Sequence, residues 1–251
     1  VREESGLFGA RHLDPADLKD LAEGYNFDGR SASDVIIGAV GAERWEVEIT
    51  GRASHAGVAP EQGISATLVA ALAIAQVHAG GWFGKVVKGE QVGTSNIGPF
   101  GGKNGLAAGD ATNVVTDYVH LKGESRSHDK QFVKAITAAY KEAFRAAAEQ
   151  VKNHADKHAK VKFTAQNDYA AFQLKETAPV VKHACATLTA LGLTPNPRTA
   201  NGGLDANWIV KHGLPVVTFG AGQNQIHTLD EWIDLDEFDK ACQVAVALAT
   251  H

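Results

Sequence analysis

The sequence predicts an α/β domain interrupted by a compact β-α-β-β-α-β insertion, and three observations carry that prediction. SDVIIGAV (33–40) and LPVVTFGAG (214–222) are short, nearly continuous apolar runs, as expected of strands buried on both faces of a sheet. Between them, WEVEITGR (45–52) sets Trp45, Val47 and Ile49 against Glu46, Glu48 and Thr50, the period of a half-buried strand. A long amphipathic pattern runs from Asp129 to about Lys157, with Phe132, Ile136, Tyr140, Phe144 and Val151 on one face.

The elements follow in order. The strand at 45–52 leads to an Ala-rich helix over 63–80, and EQVGTSNIG (90–98) reads as a second strand. The glycines of GPFGGKNGLAAGDA make a connection to a third strand, TNVVTDYVHLKGESR (112–126). SRSHDK then starts the long helix, with Ser127 as its cap, and AKVKFTAQ (159–166) closes the insertion as a fourth strand. That succession is a split, ferredoxin-like unit with helices on one face of an antiparallel sheet. Helices at 176–192, 205–212 and 234–250 accompany the flanking strands. The expected domains are therefore 1–42 and 171–251, two segments of one α/β domain, and 43–170 between them.

Composition narrows the function. The 251 residues are 44% hydrophobic, enough for a real core, and carry a formal net charge of −5 with the signs interspersed. No basic stripe marks a nucleic-acid partner. The longest apolar run, ISATLVAALAIAQVHAGG, is broken by polar residues and reads as a buried helix rather than a membrane span. Cys185 and Cys242 lie within expected helices among apolar neighbours, so both read as reduced core thiols in a cytoplasmic protein. GPFGGKNG lacks the spacing of a phosphate-binding loop.

Open α/β sheets place their sites at strand ends, so acids and histidines there come first. Glu3 and Glu4 precede the turn SGLFG, Asp28 lies in GYNFDGR just before the 33–40 strand, and His227 follows the 214–222 strand in NQIHTLDEW. His55 lies in GRASHAGVAPEQG at the start of the insertion. Carboxylates with imidazole suit zinc, cobalt or manganese. Each residue alone has an ordinary explanation: a Glu-Glu pair is a solvated surface, an Asp-Gly a turn, a loop histidine a cap.

EESGLFGARHLD, GYNFDG, GRASHAGVAPEQGISA, GDATNVVTD, NGGLDANW and IHTLDEWI occur in this order across the whole chain. Together they resemble the di-metal metallopeptidase family of peptidase T, carboxypeptidase G and the aminoacylases, with the GGLDA and IHTLDEWI wording nearest the peptidase T branch. The resemblance implies a zinc-peptidase catalytic domain interrupted by a ferredoxin-like lid. It implies an exo-acting peptidase or amidohydrolase that cleaves a small peptide or N-acyl amino acid through a metal-bound hydroxide, with two zinc ions, or cobalt or manganese in their place.

By the same resemblance Glu3 matches the general base. Glu4 and His227 match the ligands of one metal, and Asp28 matches a ligand of the other. His55 matches the lid histidine that, in dimeric relatives, reaches the partner's site and polarises the substrate carbonyl; the resemblance is thus open to a homodimer through the lid and to a monomer whose lid closes on its own site, as in some relatives of the peptidase T type. Asn113 and Arg126 fall where relatives contact the substrate's polar groups or carboxylate. Gly203 matches a backbone contact and is equally well explained as a turn glycine.

Relatives carry a His-x-Asp motif and a bridging Asp upstream of the acid pair, and this sequence starts at the pair. The expectation is thus a catalytic domain without its N-terminal part, the C-terminal two-thirds or so of a hydrolase with part of each metal site. A rival expectation is a non-catalytic dimerisation or ligand-binding module with a vestigial site.

Overall fold

The computed structural model describes Glu3 and residues 6–250. The chain divides into two compact units, Val1–Gly41 with Tyr169–His251, and Ala42–Asp168. In chain order the first half comprises α1 (Phe8–Arg11), β1 (Gly24–Phe27), β2 (Asp34–Ala39), β3 (Gly41–Thr50), α2 (Ala66–Ala79), β4 (Gly84–Lys88), β5 (Gln91–Gly101) and β6 (Tyr118–Ser127). The second half comprises α3 (Lys130–Gln150), β7 (Lys160–Tyr169), β8 (Phe172–Gln173), α4 (Pro179–Ala190), β9 (Asn196–Ala200), α5 (Asp205–Lys211), β10 (Val216–Phe219), β11 (Gln223–Asn224), β12 (Trp232–Ile233) and α6 (Leu235–Thr250). None of the helices among the described residues is long and apolar enough to cross a membrane.

The discontinuous unit is built on a mixed sheet. β1 runs parallel to β10, β10 antiparallel to β2, and β2 pairs parallel with β9 and antiparallel with β8. Successive strand residues point to opposite faces, and both faces of β2 and β10 are covered. Val35, Ile37, Val217 and Phe219 pack with Val180, Val181, Ala184 and Leu188 of α4 and Val244 of α6. Ile36 and Val216 turn the other way, against Leu204, Ala206 and Leu214. The continuous apolar runs of the sequence have this cause. Each fully buried aliphatic side chain contributes about 1.5–3 kcal/mol.

The continuous unit is a five-stranded sheet in the order β4-β5-β6-β3-β7, with α2 and α3 in contact with each other. Trp45, Val47 and Ile49 of β3 share one core with residues of both helices, while Glu46 and Glu48 alternate away from it. The Trp45 ring lies 4.5 Å from the Tyr140 ring at a tilt of 39°, and its indole N–H donates to Ser125 Oγ at 3.2 Å. Ser125 also accepts from Thr137 Oγ1, and Tyr140 Oη lies 2.8 Å from Ser95 Oγ, so the buried polar atoms of this layer are paired. Trp45→Ala is expected to cost about 3–5 kcal/mol, read as a lower urea midpoint with an unchanged slope.

Several elements differ from the sequence reading. The insertion has one more strand than expected, β4, which forms a hairpin with β5 through Gly89 at φ 61°. The long helix stops at Gln150 because Asn153 Oδ1 accepts the N–H groups of Ala155 and Lys157, a local bond that competes with helical pairing. Its cap is Asp129, whose Oδ1 accepts from Gln131 N at 2.7 Å; Ser127 instead accepts from Asp129 N and donates to Val92 O. Both thiols are free, but Cys242 is exposed on α6, whose buried side chains are Ala241 and Val244, so only Cys185 packs against a core.

Candidate active site

The carboxyl ends of the parallel pair β1 and β10 bring two expected segments together. Asp28 N donates to Phe219 O at 2.7 Å, extending the β1–β10 pairing by one residue, and Gly29 then turns the chain at φ 131°. The turn is fastened to the strand that follows β10. Ala221 N and Gln223 N donate to Gly29 O at 2.8 and 3.1 Å, Gly222 N donates to Arg30 O, and Gly220 N to Ser31 O. The Gln223 side chain reaches back to accept from Gly29 N. Gly220 has no room for a Cβ, which would run into the Ser31 backbone. The loop that carries His227 is thereby rooted beside the Asp28 turn, at the edge where open α/β sheets hold ligands.

His227 itself is exposed, in a tight loop between β11 and β12. Its N–H donates to Glu231 Oε2 at 3.1 Å, and Thr228 Oγ1 bridges Gln225 O and Asp230 N. Gln225 and His227 both have left-handed backbones, at φ 52° and 63°. For residues with a Cβ this costs roughly 1–2 kcal/mol each, a strain that clusters at functional sites.

Glu3 O accepts from Gly6 N and Leu7 N at 3.1 and 2.7 Å, and α1 follows. α1 docks on α5: the Arg11 guanidinium lies 5.2 Å from the Trp208 ring, and His212 Nε2 is 3.1 Å from Ala10 O. Glu4 lies outside the described residues. Among the described residues no three His, Cys, Asp or Glu side chains gather closely enough to hold a metal ion.

Gly203 has a packing role, since a Cβ there would collide with the Tyr169 ring. Two residues later, Asp205 opens α5 with its Oδ1 buried and without a hydrogen-bond partner, and burial raises its carboxyl above its ordinary value. The folded chain therefore holds this proton more tightly than the unfolded one. Stability falls as pH rises from the ordinary value of 3.8 through the raised one, then stays lower. Asp205→Asn is expected to raise the urea midpoint at pH 7 and to lose that advantage below pH 3.8.

In the continuous unit, residues 51–66 bond along residues 113–117. Ala56 N donates to Asn113 O at 2.8 Å, Val115 N to Ser54 O at 2.9 Å, and His55 bridges Val114. His55 and Asn113 are thus neighbours, both exposed. His55 Nδ1 accepts from Gly57 N at 3.2 Å, which leaves the hydrogen of the neutral ring on Nε2, ready to donate. Arg126 is elsewhere. It lies near the far end of β6, in a two-point ion pair with Glu124 at 2.9 Å on each side. The strand from Tyr118 to Arg126 rises roughly 26 Å, so one copy of this unit does not bring Arg126 to His55 and Asn113. A cavity of about 560 Å³ in the same unit, lined by Arg44, Trp45, Lys122 and Glu124 among others, contains none of the expected residues.

Two of the residues described above were not read from sequence. Gln223 acts by reaching back to Gly29, a tertiary contact without a local pattern. Asp205 could have been noticed as the lone acid in LDANW, an apolar helix start.

The sequence pattern of peptidase family M20/M25/M40 matches residues 1–251. The chain belongs to that family. It is 33% identical over 249 residues to the protein YqjE of Bacillus subtilis (strain 168), an alignment covering 99% of this chain and 62% of that one. The crystal structure of aminopeptidase PepT from Bacillus cereus ATCC 10987 superposes with a TM-score of 0.80 at 33% identity, over 99% of this chain and 61% of that one. A tripeptidase from Staphylococcus aureus gives 0.84 at 31% identity, with the same two coverages. The chain thus spans about three-fifths of the length of these relatives, and its likeness to the aminopeptidase PepT and the tripeptidase is consistent with a peptidase T-like branch of the family.

Proposed function

We propose that the protein is a metal-dependent hydrolase that cleaves an amide bond of a small peptide or N-acyl amino acid. The observation that carries this reading is the union of the Asp28 turn with the root of the His227 loop at the carboxyl ends of β1 and β10, in a chain of this family. The donor set fits a divalent cation: carboxylates from Glu4 and Asp28 with imidazole from His227, all oxygen and nitrogen ligands that suit zinc and also cobalt or manganese. Bound there, a pair of such ions would acidify water and neutralise charge on the substrate's carbonyl oxygen.

The chain's own residues do the rest. Glu3 takes a proton from the attacking water and returns it to the leaving amine. His55 donates its Nε2 hydrogen to the carbonyl oxygen as negative charge develops there, while Asn113 and Arg126 hold the substrate's polar groups. Gly203 lets the segment before α5 pack against Tyr169 and leaves its backbone to face the substrate. The length of β6 favours a homodimer in which His55 and Asn113 of one copy and Arg126 of the other serve one site. The continuous unit is then a ferredoxin-like lid carrying one extra edge strand.

Metal analysis of the purified full-length protein, paired with a di- and tripeptide hydrolysis assay, tests the reading. Two equivalents of metal with turnover that a chelator abolishes are expected. Stable folding with neither metal nor turnover would favour a binding module instead.

A further inference from the structure

We propose that Arg30 is a specificity-determining residue that anchors a substrate carboxylate in the groove beside Asp28; the inference rests on the hydrolase reading above. Arg30 stands two residues after Asp28, its backbone clamped by the bond from Gly222 N at 2.8 Å. It lines two cavities, of about 470 and 440 Å³, and Asn224 lines both as well. The first has an apolar wall from Ile226 and Trp232, both about half exposed, and carboxamides from Gln223 and Gln225. Such a wall suits a peptide: apolar surface for a side chain, amides for its backbone.

Charge decides what the groove selects. The three acids lining the second cavity are already engaged. Asp34 holds Arg198 at 3.1 Å and Asn196 at 2.8 Å. Glu237 holds Lys240 and accepts from Ser31 Oγ and Ala32 N, and Asp234 accepts from the first turn of α6. Arg198 is neutralised by Asp34. Arg30 is exposed, with no ion-pair partner among the described residues. An arginine fork offers two parallel donors that match a carboxylate.

The test is calorimetric binding to the full-length protein in a chelator, where turnover cannot interfere. The probes are Leu-Gly-Gly, its C-terminal amide, and an amidated peptide with an aspartate side chain, which distinguishes a terminal from a side-chain carboxylate. Wild-type protein is expected to bind at least one carboxylate-bearing peptide about 10- to 100-fold more tightly than the neutral amide. Arg30→Gln is expected to abolish that preference, and Arg30→Lys to keep part of it. A preference unchanged in Arg30→Gln, no preference in wild type, or no binding of any peptide overturns the proposal. Turnover with metal restored is read separately: Arg30-dependent binding without hydrolysis would leave the anchor standing and remove the hydrolase.

Discussion

Replacing Glu3 by alanine is expected to lower kcat by about 10²–10⁴-fold while metal content stays at the wild-type level. The size follows from the role. A carboxylate that both accepts the water proton and delivers it to the amine enters the transition state twice, and no neighbour replaces it at the same position. The backbone of Glu3 has a separate duty, because its carbonyl accepts from Gly6 and Leu7 at the entry to α1. Alanine keeps that carbonyl, so the entry to α1 is preserved while turnover is lost. Glu3→Gln separates the alternatives further: it preserves shape and polarity but not basicity, and should be as inactive as alanine. Turnover retained in either variant would take Glu3 out of its role.

The second large effect is expected at His227. Alanine is a poor probe there, because the backbone is left-handed at φ 63° and a change in the loop would mix strain with chemistry. Asparagine tolerates that backbone, so His227→Asn keeps the loop and removes the imidazole. The expected result is loss of one equivalent of metal and of turnover to below detection. Full metal content in His227→Asn would remove the histidine from the ligand set. A lowered midpoint in chelator would show that the loop, rather than the ligand, had been damaged.

Much of the frame was legible because the physics is local. The alternation of WEVEIT predicts β3 and the side that Trp45 buries, and the continuous runs of β2 and β10 reflect helices on both of their faces. What escaped depends on contacts distant in sequence or on competition at element ends. β4 offers only five residues, too few for a period to stand out beside Gly84 and Gly89. The end of α3 is set by one asparagine folding onto its own loop, and nothing in the amphipathic pattern before it marks that residue. Cys242 follows the buried Ala241 yet faces outward, a matter of helix phase.

The site divides in the same way. Motif wording pointed to Asp28 and His227, and their segments meet through Gly29 and Gln223, a pairing that spacing alone could not give. Wording also grouped Arg126 with His55 and Asn113. The length of β6 sets them apart within one copy, and this is why a second copy enters the proposal.

The proposed hydrolysis requires cations bound where β1 and β10 end. Anomalous diffraction at the zinc edge from crystals of the full-length protein tests it directly. Ions are expected within about 2–2.2 Å of side-chain atoms of Glu4, Asp28 and His227. Ions bound elsewhere, or a His227 ring turned to bulk water while metal is present, would contradict it.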